Sequence, residues 1–168
     1  MLHGAGMQTA LERTEREYAG REEMPLGGYA AIMGAFVALF GPMLIAASRR
    51  GALPRSWRLR DIVLIGIASH KFSRILTRDT VTAPLRAPFT RFEKKIGAGE
   101  VEEKPRGRGL QRALGSLASC QYCSSVWSAA SLTALHLARP RVGRTVAAVL
   151  AMVTVSDWMH RAYAKLQP

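Results

Sequence analysis

Uncharged runs alternate with clusters of arginine along this chain, and that alternation sets the first reading. Leu26–Ala47 holds 22 residues without a charge, enough for a helix to cross a hydrocarbon core of about 30 Å. Ala30, Gly34 and Ala38 recur every fourth residue, a stripe that admits close approach of another helix. Pro42 is expected to bend its far end. After the arginine-rich link 48–60, a second helix is predicted at about 61–77. Its uncharged part, Ile62–Ser69, is short, and His70, Lys71, Arg74 and Arg78 follow. At 100° per residue these four fall near 0°, 100°, 40° and 80°, within one basic arc.

The largest polar region, 79–112, comes next. Pro84 and Pro88 push Ala83 and Ala87 toward extended geometry, so 80–90 is expected to be a stiff non-helical strap. Glycine mixed with both charge signs predicts a flexible loop over 97–109. The run 114–138 then predicts a third helix at about 120–138 with Ser119 as its N-cap. A tight connection at 139–144 leads to a last helix at about 145–164, uncharged until Asp157. The fold expected is therefore an all-α membrane protein of three to four transmembrane helices, with a basic loop between the second and third. A polar tail, 1–25, precedes a helical membrane domain, 26–168. Glu12, Arg13, Glu15, Arg16 and Glu17 suit a short charged helix in that tail. The first apolar run follows mildly acidic residues and is too long for a signal core, so it is expected to be retained.

Charge refines this picture. The net charge of +12 accompanies 48% hydrophobic residues, and the two are segregated along the chain. With every helix spanning, the side receiving the tail, the loop after the second helix and the C-terminus carries roughly twice the basic residues of the other. That favours a cytoplasmic membrane with both ends inside. Nucleic acid is not an expected partner, because the charge is spread over loops and lacks interleaved aromatics or a reading helix.

Two linked motifs stand out. The first is His70-Lys71-Phe72-Ser73-Arg74-Ile75-Leu76-Thr77-Arg78-Asp79, followed by Val81-Thr82-Ala83-Pro84-Leu85-Arg86-Ala87-Pro88-Phe89. The second is Cys120-Gln121-Tyr122-Cys123 with Trp127 four residues on. Together they resemble a bacterial membrane family, domain of unknown function 1360, from about Asp61 to the C-terminus. The chain departs from that family's pattern at Gln121, where proline is usual, and at Ser124-Ser125. The resemblance implies a multi-pass bacterial membrane protein and no established activity.

Three chemistries remain open for Cys120 and Cys123. Both fall in the first turn of a helix, where the dipole favours a thiolate. Zinc requires four ligands, so a metal site would draw on a homodimer or on the scattered His3, His70, His136 and His160. A thiol relay is the second possibility, and packing beside Trp127 the third. Otherwise no cofactor is expected.

The arc of His70, Lys71, Arg74 and Arg78 either snorkels to headgroups or pairs with Asp157, which also has Arg161 at i+4. In the strap, Asp79 is placed to accept from Thr82 or pair with Arg86. The segment either closes the bundle or offers Arg78, Arg86 and Arg91 to anionic headgroups, at about 1 kcal/mol per basic residue. Pro84, Pro88 and Phe89 would shape that surface. No enzyme constellation is visible. The expected function is a scaffold, anchor or accessory subunit contacting membrane lipids, a protein partner or a second copy. A metal- or redox-responsive role through the cysteines is the alternative, and transport a weaker one.

Overall fold

The computed structural model describes residues 13–15, 17–18 and 24–166. Glu12, Arg16 and His3 lie outside the described residues. Among the described residues five longer helices and one single-turn helix frame a small sheet. They are α1 (Leu26–Arg49), α2 (Leu59–Thr77), the one-turn α3 (Ala83–Arg86), α4 (Gly109–Ser119), α5 (Gln121–Ala138) and α6 (Pro140–Leu166), counting α3 for order. Strands β1 (Thr90–Gly97) and β2 (Glu100–Pro105) form an antiparallel hairpin between α3 and α4.

The sheet corrects the all-α expectation and replaces the flexible loop. Phe92, Val101 and Ile96 supply strand-forming positions, and Gly99, at φ +73°, turns the chain where a side chain would be strained. The segment leaving α2 pairs with the same hairpin: Val101 N–H donates to Arg78 O, and Thr80 N–H to Gly99 O.

The strap expectation is corrected too. Thr80–Thr82 forms a 3-10 turn leading into α3, with Pro84 in the first turn of α3. There a missing N–H costs nothing, because first-turn donors have no helical acceptor. Ala83 and Ala87 both take helical dihedrals despite the prolines that follow them.

The three to four spans are likewise corrected. Among the described residues two helices, α1 and α6, are long and apolar enough to cross a bilayer. Arg60, Asp61, Lys71 and Arg74 make α2 too polar, and Ser124, Ser125, Ser128, Ser131 and Thr133 do the same for α5. Helix α1 runs through Pro42 unbroken. Its stripe of Ala30, Gly34 and Ala38 is exposed.

Helix α2 packs against both α5 and α6, while α1 lies outside, joined through α4 and the N-terminal half of α5. The core between α2, α5 and α6 is built from Ile65, Ala68, Leu132 and Ala147. Its most deeply buried larger side chains are only Ser73, Thr77 and Ser128. These hydroxyls bond back into their own helices: Ser69 to Ile65 O (2.6 Å), Thr77 to Ser73 O (2.8 Å) and Ser128 to Ser124 O (2.9 Å). Such self-satisfied groups can be buried without a partner on the facing helix.

The expected link at 139–144 shrinks to Arg139, since Pro140 begins α6. At this joint Gly143 meets the backbone of His136, where an added Cβ would lie 2.5 Å from its Cα. Arg144 then reaches Asp61 in the first turn of α2 at 3.1 Å, tying the ends of α2 and α6 together. In the N-terminal segment, Glu15 accepts the N–H of Gly27 at 2.9 Å and so caps the start of α1.

Candidate functional site

The hairpin gathers several of the predicted residues at one end of the helices. Its centre is Arg86, only 2% exposed. The Arg86 guanidinium donates to both carboxylate oxygens of Glu103 at 2.9 Å, to Leu76 O at 2.9 Å, to Asp79 O at 3.2 Å and to Thr82 Oγ1 at 2.6 Å. Thr90 Oγ1 donates to Glu103 Oε2 at 2.7 Å. The flat, forked guanidinium suits this task because it satisfies carboxylate and carbonyls at once. Arg86 is thus turned inward, and its ionic partner is Glu103 instead of Asp79. Asp79 takes part through its backbone carbonyl, which also accepts from Thr82 at 2.9 Å. Thr82 additionally donates to Ile75 O.

Burial opposes the charge on Glu103, but hydrogen bonds from Arg86 and Thr90 and the guanidinium charge outweigh it. Its carboxyl is held below the ordinary value of 4.5. A lowered folded-state value means the stabilisation is complete above the unfolded value and is lost as pH falls through the folded one. Unfolding titrations from neutral to acid are therefore expected to show a stability loss beginning below about pH 4.5. Glu103→Gln should flatten that part of the curve; an unchanged slope would remove Glu103 as its source.

The basic arc is brought to acids. Lys71, 8% exposed, donates to Asp157 Oδ2 at 2.8 Å across α2 and α6. Arg74 pairs with Glu100 at the hairpin turn, and Arg161 approaches the same carboxylate at 3.9 Å. His70 Nδ1 lies 3.4 Å from Gln121 Nε2. Arg78 is half-buried and joins the hairpin through its carbonyl. Pro88 O accepts from Arg106 and Gln111, at 3.0 and 2.9 Å. Phe89 shares a pocket of about 290 Å³ with Leu85, Arg86 and Trp127. Pro84 stands apart, in the opening turn of α3.

Cys120 and Cys123 are joined by a disulfide. Cys120, not Ser119, is the N-cap of α5, with its Sγ accepting the N–H of Cys123 at 3.2 Å. Among the described residues no three His, Cys, Asp or Glu side chains gather at the pair. Trp127 stands one turn on, its ring 5.1 Å from that of Phe36 in an edge contact.

Glu100 and Glu103 went unread in the sequence, although Val101 and Glu103 alternate just after a Gly97-Ala98-Gly99 turn signal. Glu15 gave no signal beyond its charge.

Among known proteins, the "Sporulation protein YjcA" of Bacillus subtilis (strain 168) is 33% identical over 107 residues, 62% of this chain and 91% of that protein. No solved structure matches the chain. The family model "Protein of unknown function (DUF1360)" matches residues 64–163, spanning most of α2, the Arg86 clasp, the hairpin and the cysteine pair. The chain belongs to the DUF1360 family of proteins of unknown function.

Proposed function

We propose that this protein is an anchor of the bacterial cytoplasmic membrane, held by α1 and α6, whose hairpin end docks a protein partner. The supporting observation is an inversion of side-chain size. The interior packs small and hydroxyl residues around only Ile65 and Leu132, while Met33, Val37, Leu39, Leu44 and Ile45 of α1 and Val149, Met152 and Val155 of α6 are exposed. In water that arrangement forfeits hydrophobic stabilisation; in lipid, close approach of small residues holds helices together.

At the hairpin end, Val81, Leu85, Phe92 and Ile96 are exposed beside charged residues. Lys94 and Lys104 are already paired with Glu102 and Glu93, at 3.2 and 2.7 Å. This near-neutral surface suits a protein better than a polyanion. Anionic headgroups instead suit Arg49, Arg50, Arg55 and Arg58 around the link between α1 and α2. The likeness to a protein named for sporulation gives such an anchor a setting in spore formation.

The test is a photo-crosslinking side chain placed at Phe92 in cells, followed by membrane fractionation. A discrete protein adduct in the membrane fraction is expected. Recovery in the soluble fraction, or the absence of any protein adduct, would sink the reading.

A further inference from the structure

The disulfide lies at the edge of a groove of about 550 Å³ between α1 and the junction of α4 with α5. Met33, Phe36, Val126 and Trp127 line it together with Cys120 and Cys123. Both cysteines line the groove, and Cys123 is the more exposed residue of the two. Cys120 Sγ already accepts a helix N-terminal N–H, the position where a thiolate is best tolerated. Aromatic and apolar walls around a two-electron sulfur couple select a flat, lipophilic two-electron carrier.

We propose that the groove binds a lipid-soluble quinone, and that the Cys120–Cys123 disulfide and its dithiol form exchange two electrons with it. In the oxidising direction, the Cys123 thiolate adds to a ring carbon of the quinone, forming a C–S bond. The Cys120 thiolate then attacks Cys123 Sγ; the S–S bond forms as the C–S bond breaks. The electron pair stays on the ring, and the two thiol protons end on its oxygens, giving the hydroquinone. Two thiols and one quinone thus become one disulfide and one hydroquinone. Hydroquinone returns the pair to the dithiol by the reverse route. The exposed Cys123 makes the first contact, and Cys120 is the resolving sulfur that the α5 N-terminus holds ready.

The experiment uses the full chain in detergent micelles, so it is independent of anchoring in a bilayer. Reduced protein is mixed with a benzoquinone bearing a decyl tail, and disulfide formation is followed by trapping free thiols. The rate should saturate with quinone. It should fall at least about tenfold in Met33→Trp and Val126→Trp, which fill the groove from opposite walls. Oxidation by glutathione disulfide, which has no need of the groove, should stay close to wild type in both. A rate that rises without saturation and is equal in wild type and variants would overturn the proposal. Quenching of fluorescence gives a second readout on the oxidised protein. Saturable quenching by the quinone that disappears in Trp127→Phe is expected, and its absence in the wild type would overturn the proposal even if the variants misfold.

Discussion

Arg86→Leu is expected to cost about 3–5 kcal/mol of stability, because it leaves Glu103 charged, buried and unpaired. Leu76 O loses its side-chain donor in the same step, and Asp79 O is left with Thr82 alone. The damage should centre where α2, α3 and the hairpin meet, since the clasp residues all lie between Leu76 and Glu103. Glu103→Gln should cost less, because the amide keeps the shape and some hydrogen bonds while removing the charge. Arg86→Lys should fall between them: a single ammonium cannot serve a carboxylate and several carbonyls together. Denaturant titration in detergent, with limited proteolysis of the hairpin, measures the order. If Arg86→Leu were within about 1 kcal/mol of wild type, the clasp would have no structural weight.

Gly143→Leu is the second change with a large expected effect. A side chain there would enter the backbone of His136, and backbone has no rotamer by which to yield. The α5–α6 joint would have to open by the width of the new group. Overpacking of this kind costs about 1–3 kcal/mol, and a bulky residue against backbone belongs at the upper end. Opening the joint also draws Arg144 away from Asp61, which sits in the neighbouring turn of the assembly. Thermal unfolding of Gly143→Leu against Gly143→Ala should show a loss growing with side-chain size. Only if both variants matched the wild type would the joint have slack, because the alanine Cβ already falls 2.5 Å from the His136 Cα.

Much of the helical frame was legible in the sequence because long uncharged stretches leave few alternatives. The predicted segments 26–47, 61–77 and 120–138 lie within a few residues of α1, α2 and α5. The start of the last helix was placed five residues late, at 145, because Arg139, Arg141 and Arg144 read as loop residues. Charge is compatible with a helix end that projects from an apolar environment, and Pro140 is a good opening residue.

The hairpin was missed for a different reason. Its polar strands bury little, and glycine at 97 and 99 masked the pairing of residues on either side. Pairing is a long-range fact that local composition records poorly. The same limit hid Glu103 as the partner of Arg86. Asp79 was nearer in sequence, but its carbonyl, not its carboxylate, faces the guanidinium. Lys71 with Asp157 was readable as one of two alternatives, since a buried amine among apolar helices requires an acid and few were available.

The back-bonded hydroxyls of α2 and α5 carry one more consequence. Because Ser69, Ser73, Thr77 and Ser128 direct their protons to their own helices, the contact between helices does not read polarity. It reads volume. Along this seam serine and alanine are close to interchangeable spacers, whereas a single added branch would hold the two backbones apart. The seam therefore accepts exchange of serine for alanine while the distance between its backbones stays fixed.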